Sequence, residues 1–339
     1  MNTVLLFLEQ SMSIGVGIAG WGAISEQLHG PCLSGMEECE IVAVCDEREE
    51  RLAHAADTYR CRGYTDLDAF FAHPGLDLVV IPLPNFLHGP TAVRAQAAGK
   101  HVISEKPMSF SPKEAEHLVK TGKEKGLVVT THQNRRWDPN FVAIRQLREN
   151  GELGKLHMIQ SRHLGSPWKK TWADSSKWTG KGPFMSMGPH LLDQILSMSP
   201  DGPIQVSGVL KSILNEDDTF NCFLTFSDDS TARVEMTKAS RLKDYRRFEL
   251  SFEKGDALVS GRSDPYTLHI QRDGEAATEE ILPEPPEFHI QSRPFYQNIF
   301  AAIRGEEELI VKPEQSLRYV KVADAIVRSA EQGETMTVE

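Results

Sequence analysis

The chain has 339 residues, 40% of them apolar and 25% charged, a balance that suits a soluble globular protein of two domains. Its net charge of −11 argues against a nucleic-acid or anionic-membrane partner. Five scattered cysteines form no CxxC pair and no zinc spacing, which points to free thiols in a reducing cytosol.

Val4 to Leu8 is a short apolar run with no basic residue before it, too short for a signal peptide or a membrane span. Residues 1–11 therefore read as an extension ahead of the first strand. Ser13 to Ala19 reads as that strand, and Ile24 to Leu28 opens a helix that Gly30-Pro31 should end. Ile41 to Cys45 is a second strand closed by Asp46, and Glu47 to Tyr59 an amphipathic helix with Leu52, Ala55 and Ala56 on one face. Asp66 to Phe71 follows as a short helix, Leu76 to Pro82 as a strand, and Leu87 to Ala98 as a helix stopped by Gly99. His101 to Ser104, Ser111 to Lys125 and Leu127 to Thr131 complete the series as strand, helix and strand. Such alternation predicts a largely parallel, doubly wound sheet of the Rossmann type.

Two features of this half carry chemistry. Gly20-Trp21-Gly22-Ala23-Ile24-Ser25 follows a strand and opens a helix, and Asp46 ends the next strand 24 residues after Gly22. Gly20 permits the tight turn, and Gly22 lets backbone approach a pyrophosphate at a helix N-terminus. The third position holds Ser25, so helix and strand should pack slightly further apart. Asp46 can accept hydrogen bonds from ribose hydroxyls and would repel a 2′-phosphate, which favours NAD over NADP, although Arg48 softens that preference. Asp46 could equally cap the following helix. The second feature is Glu105-Lys106-Pro107. A lysine at the carboxyl end of a buried strand lies where open α/β sheets bind ligands, and Pro107 stiffens its approach.

Beyond Trp137 the pattern changes to β-like runs at Leu156–Ser161, Ile204–Leu210, Thr219–Phe226, Ala232–Thr237 and Arg247–Phe252, with Asp228-Asp229-Ser230 as a hairpin turn. The boundary is placed near His132, giving a dinucleotide-binding domain at 12–132 and a second domain at 133–339. A closing helix, with Val320, Ala323, Ile326 and Val327 on one face, should return to the junction. His190 and Asp193 share a face of a further helix. No His, Cys and carboxylate cluster has metal-ligand spacing, and no Gly-x-Ser-x-Gly nucleophile motif is present.

With Gly20–Ser25, Asp46, Pro84-Asn85-Phe86-Leu87-His88 and Glu105-Lys106-Pro107 in this order, the chain resembles the Gfo/Idh/MocA oxidoreductases, which include glucose–fructose oxidoreductase and the inositol dehydrogenases. The likeness continues through Asn134-Arg135-Arg136-Trp137, Gly151-Glu152-Leu153-Gly154 and His190-Leu191-Leu192-Asp193-Gln194 to Phe295-Tyr296-Gln297-Asn298, and is nearest in motif to the scyllo-inositol dehydrogenase side. The resemblance implies a C-terminal open, mostly antiparallel sheet, homodimer or homotetramer assembly, and a cytoplasmic enzyme. It implies hydride transfer between NAD, or NADP, and a carbinol of a sugar, polyol or cyclitol, with no metal. Lys106 would bind and polarise the hydroxyl and His190 would act as acid and base. Asp193, Ser186, Arg136 and Trp172 would meet the substrate. Gly20, Gly22, Ala23, Ile24, Asp46, Asn85, His88 and Glu105 would meet the cofactor; Asn85 could instead cap its helix. Trp168, Trp172 and Trp178 would form a lid, or simply pack.

The chain departs from the family where an aspartate usually precedes the histidine by four residues, for it has Ser186 there. Serine can bond a sugar hydroxyl but cannot act as a carboxylate base. The helix carrying His190 should begin at Pro183 and kink at Gly188-Pro189, or begin only at Pro189. Two other functions stay open: a glycosidase of the same fold using bound NAD, and a non-catalytic sugar- or dinucleotide-sensing protein.

Overall fold

The structure, a computed structural model, describes residues 13–165, 182–199, 201–213, 218–241, 246–261 and 265–338. The extension at 1–11 and the tryptophans at 168, 172 and 178, including the expected substrate contact of Trp172, lie outside the described residues.

Six strands form the first sheet: β1 (Ile14–Ala19), β2 (Cys39–Cys45), β3 (Arg62–Tyr64), β4 (Leu78–Ile81), β5 (His101–Ser104) and β6 (Val129–Thr131). Their order is β3-β2-β1-β4-β5-β6, and every neighbouring pair is parallel. This is the doubly wound arrangement expected, and the strand order reverses between β1 and β4, where such folds bind dinucleotides. β1 and β4 are buried at every residue, as helices on both faces require. The connecting helices are α2 (Glu49–Tyr59), α3 (Leu67–Phe71), α4 (Asn85–Ala97) and α5 (Pro112–Lys125). Asp66 caps α3 by accepting the Ala69 N–H at 2.8 Å, and Ser111 caps α5.

The first crossover corrects the expected stop at Gly30-Pro31. A π-helical turn, Ser25–His29, runs directly into α1 (Gly30–Ser34). Pro31 has no N–H to give, and the wider turn before it absorbs the mismatch. Gly30 is there for space: a Cβ would sit 2.6 Å from the Tyr59 hydroxyl and 2.9 Å from the Trp21 ring.

The second sheet comprises β7 (Leu156–Leu164), β8 (Pro203–Lys211), β9 (Thr219–Phe226), β10 (Thr231–Thr237), β11 (Arg246–Phe252), β12 (Gly255–Ser260), β13 (Thr267–Arg272), β14 (Thr278–Ile281) and β15 (Met336–Thr337). Their order is β14-β13-β12-β11-β7-β10-β9-β8-β15, antiparallel throughout except for β7 beside β10. Asp229 takes a left-handed conformation, φ 64°, in the expected turn between β9 and β10. On the inner face of this sheet lies α7 (Gly182–Ser197), whose Phe184 meets Phe220 edge-on at 5.1 Å. The expected choice of geometry resolves to one helix with Pro189 inside it. Around these run α6 (Pro139–Glu149), α8 (Arg293–Ile303) and α9 (Pro313–Gln332). α9 packs against α5 on one side and against α7 and β8 on the other, burying Val320, Ala323 and Ile326. One apolar core continues from Val79 and Ile81 through Phe141 and Ile195 to Val234 and Phe248.

Candidate active site

The carboxyl ends of β1 and β4, where folds of this kind have their ligand cleft, lie beside that of β5, and Asn85 and Lys106 beyond β4 and β5 bond the N-terminal half of α7. At the first of these, Gly20 adopts φ 109° and gives its N–H to the Cys45 carbonyl at 2.7 Å. Only glycine holds that conformation cheaply, and a Cβ there would press on Leu83 and Pro82. Gly22 has nothing within 4 Å of where a Cβ would be. The protein leaves this side of the turn open, as a pyrophosphate needs. Ala23 is exposed and Ile24 half-buried at the start of the following helix. Ser25, at the third motif position, is buried with its hydroxyl given to the Gly20 carbonyl at 2.6 Å, so its polarity is absorbed locally.

Asp46 ties this turn to β2. One carboxylate oxygen accepts the Trp21 N–H at 2.7 Å and the other accepts the Arg48 N–H at 3.0 Å, with Arg51 3.5 Å away. α2 begins after Arg48 with no side-chain cap, so Asp46 is not the cap of that helix. The residues present fit a dinucleotide: an open glycine turn, a helix start and an anchored acidic residue at the end of β2.

At the next strand end, the Asn85 amide donates to the Met185 carbonyl at 3.3 Å. Pro189 explains why that carbonyl is available: the residue four further along the helix has no N–H to offer. Asn85 therefore does not cap α4, whose start shows no side-chain cap. The structure places His88, expected at the cofactor, against backbone. It is buried, with Nδ1 2.8 Å from the Pro107 carbonyl and Nε2 2.7 Å from the Leu83 carbonyl. Burial holds this imidazole below its ordinary pKa despite the two carbonyls. Its ring bridges the Leu83 and Pro107 backbone, and in the neutral form one nitrogen donates to one of these carbonyls.

Glu105 and Lys106 diverge at the end of β5. The Lys106 ammonium reaches across to the Ser186 carbonyl on α7 at 2.7 Å. Burial pulls its pKa below the usual lysine value, Glu105 opposes that, and Arg135 adds to it. The carboxylate of Glu105, expected at the cofactor, points inward, 2.6 Å from His132 Nδ1 and 3.3 Å from His29 Nε2. Neither histidine was foreseen as part of the site. The signals were present only as a His before Gly30-Pro31 and a His two places before Asn134, with no local spacing to join them.

One turn beyond Ser186, His190 is buried, and its Nδ1 has no hydrogen-bond partner among the described residues. Burial first, then the Lys106 and Arg135 charges, holds its pKa well below the ordinary histidine value. It is a neutral imidazole with an unused nitrogen beside an ammonium. Asp193 and Arg136, both expected at the substrate, are paired with each other. Arg136 Nε and Nη2 donate to the two Asp193 oxygens at 2.7 and 2.6 Å, while Nη1 donates to the Ile310 carbonyl and to Gln315. Both residues are buried, and this bidentate pair fastens α7 to the turn after β6.

A doubly wound sheet with an open glycine turn, facing a lysine and a neutral histidine, defines an NAD-binding oxidoreductase. Residues 14–133 match the model described as the oxidoreductase family with NAD-binding Rossmann fold, and residues 141–258 match that of the GFO/IDH/MocA C-terminal domain. The chain belongs to the Gfo/Idh/MocA oxidoreductase family. It is 25% identical to the scyllo-inositol 2-dehydrogenase (NADP(+)) IolW of Bacillus subtilis over the full length of both chains. It is 26% identical to the inositol 2-dehydrogenase of Rhizobium meliloti, over 94% of this chain and 97% of that one. Among solved structures, an NAD-binding protein from Listeria innocua superposes with a TM-score of 0.83 at 27% identity, covering 96% of this chain and 97% of that one. The chain is thus an enzyme of the dehydrogenase class with an NAD-binding Rossmann fold. Among the described residues, no helix is long and apolar enough to cross a membrane.

Proposed function

We propose that this enzyme transfers a hydride between the nicotinamide of NAD or NADP and a secondary carbinol of a cyclitol, polyol or sugar. The observation that carries the reading is the placement of Lys106 on the Ser186 carbonyl, one helical turn before His190, a buried imidazole held neutral whose Nδ1 has no partner among the described residues. The nicotinamide, when bound, takes up or returns the hydride at the carbinol carbon.

Lys106 binds the substrate hydroxyl and stabilises the alkoxide that develops on its oxygen. His190, neutral because it is buried among cations, accepts the hydroxyl proton in oxidation and returns it in reduction. The Ser186 hydroxyl adds one neutral hydrogen bond to a neighbouring substrate hydroxyl. Asp46 and the glycine turn hold the adenosine half of the cofactor, and Asn85 lies by the nicotinamide half. Val209 and Phe223, half-exposed on the outer face of the second sheet, support assembly as a homodimer or homotetramer.

The test is a screen of inositols, polyols and sugars with NAD and with NADP, following absorbance of the reduced cofactor. One substrate and cofactor pair with turnover is expected. Tight cofactor binding with no turnover on any carbinol would sink the reading in favour of a sensing protein. Cleavage of glycosides with no net reduced cofactor would replace it with a glycosidase.

A further inference from the structure

Lys106 faces the cleft, and Glu105 faces the interior beneath it. The Glu105 carboxylate is the hub of a buried chain. Its Oε1 accepts a hydrogen bond from His132 Nδ1 at 2.6 Å and lies 3.3 Å from His29 Nε2, too far off axis to make a hydrogen bond. Its Oε2 accepts the Lys106 backbone N–H at 3.2 Å. The outer histidine nitrogens are held too: His29 Nδ1 by the Tyr296 hydroxyl at 2.7 Å, and His132 Nε2 by Ser292 Oγ at 3.2 Å.

These residues come from separate parts of the fold. His29 ends the π turn behind the glycine loop, Glu105 follows β5, and His132 follows β6. Ser292 and Tyr296 stand at the start of α8. The chain thus spans the floor of the cleft, from the cofactor turn to the lysine. The donor atoms of the three central residues lie within 4.8 Å of one another. The 2.6 Å contact, however, is a hydrogen bond and shorter than the roughly 3.3 Å between ligands about 2.0 Å from a tetrahedral ion. The cluster is built as a hydrogen-bonded anchor for a carboxylate.

What that anchor acts on is Lys106. Among the described residues, the charged and titratable groups acting on the ammonium are Glu105 beside it, Arg135 from the turn after β6, His190 from α7 and His88 from α4. Of these, only Glu105 is acidic. We propose that Glu105 is a positioning residue: held by the hydrogen bond from His132, with His29 beside it, it fixes the Lys106 backbone and supplies the counter-charge of that ammonium. This rests on Lys106 being the hydroxyl-binding group, as above.

The experiment follows the Lys106 titration directly by carbon-13 NMR of lysine-labelled full-length protein, with Lys106→Arg identifying the resonance. Glu105→Gln keeps the shape and removes the charge, and should lower the Lys106 midpoint by about one pH unit or more. Glu105→Asp keeps the charge but is too short to hold the His132 bond and the Lys106 backbone N–H together. It should leave the midpoint near wild type while turnover falls about tenfold or more. In kinetics, Glu105→Gln should move the lysine-dependent limb of the pH–kcat profile to lower pH, with cofactor Kd changed less than about threefold. A midpoint unmoved by Glu105→Gln overturns the proposal, as does an equal shift in Glu105→Asp. Should Glu105→Gln not fold, His132→Gln decides: lower turnover with an unmoved lysine midpoint supports the clamp, and unchanged turnover overturns it. The NMR reading needs no substrate, so it separates failure of this proposal from failure of the hydride-transfer reading.

Discussion

Two cation-bearing contacts reach α7 from the first half of the chain, and they are built in opposite ways. Arg136 meets Asp193 with two charge-assisted hydrogen bonds, and two more of its donors are taken by Ile310 and Gln315. Lys106, less than two turns earlier on the same helix, meets a backbone carbonyl, and His190 one turn on keeps a nitrogen without a partner among the described residues. A saturated pair stabilises a fold once its desolvation is compensated. An unsaturated one leaves capacity for a ligand, at a cost in stability of the kind found at functional sites. Sequence spacing puts His190 and Asp193 on one helical face; partner count separates their roles.

The sharpest way to break that comparison is to remove each cation's function in turn. Lys106→Ala should lower kcat/KM by roughly 10³-fold or more while cofactor Kd, measured by fluorescence titration, changes less than about threefold. Equal losses in both would place Lys106 in cofactor binding or in the fold. Asp193→Asn should do the reverse. It leaves Arg136 buried without its counter-charge and should cost about 3–5 kcal/mol of stability, seen as a lower midpoint in denaturant. Turnover per folded molecule should stay within about threefold.

The buried histidines extend the contrast to pH. His29, His88 and His190 all have folded pKa values below the ordinary one, with burial the first cause in each case. The unfolded chain therefore binds protons that the native state refuses. Stability from these groups is full above about pH 6.5 and falls as pH drops below it, by about 1.4 kcal/mol per unit for each histidine. Glu105, whose folded pKa is depressed by His132 and His29 against the pull of burial, contributes above its unfolded value and is lost only at still lower pH. Melting temperatures measured from pH 8 to 5 should begin to fall near 6.5. A flat profile down to pH 5 would show that the histidines are not held neutral.

The sequence made the parallel half legible because its strands are short apolar runs between glycine stops, and because the glycine turn and Asp46 lie within one βαβ unit. The pairing of β7 with β10 and the strands β12 to β15 were not legible, since polar outer faces and edge positions dilute the apolar signal. The site was legible as a list of residues but not as a set of partnerships. His29, Glu105 and His132 are brought together by three different loops, and Arg136 meets Asp193 across 57 positions. Gly30-Pro31 reads as a stop and Pro189 as a kink or a start, yet both prolines sit inside continuous helical segments. In the second case the proline frees a carbonyl that Asn85 takes.

Asp46 tests whether the cofactor turn belongs with the saturated or the unsaturated kind of contact. Its two oxygens already hold the Trp21 and Arg48 N–H groups. Asp46→Ala should then weaken NAD and NADP together, by about tenfold each, because the glycine turn loosens before any ribose contact is considered. A swing in preference toward NADP with little loss of overall affinity would instead make repulsion of the 2′-phosphate its main function.

Ser186 carries the smallest expected effect and the finest distinction. The lysine bonds its carbonyl, which any residue at that position supplies, so the family's aspartate is not needed to hold the ammonium in place. What the side chain can add is one neutral hydrogen bond to substrate, worth about 0.5–1.5 kcal/mol. Ser186→Ala should therefore raise KM by about three- to tenfold and leave kcat and the pH–kcat profile in place. A large fall in kcat would mean that the hydroxyl takes part in proton transfer, and the division between backbone anchoring and side-chain chemistry drawn at Lys106 would have to be given up. Ser186→Asp sharpens the same point from the other side: a carboxylate one turn before His190 should raise the histidine's pKa and shift the acid limb of the profile upward.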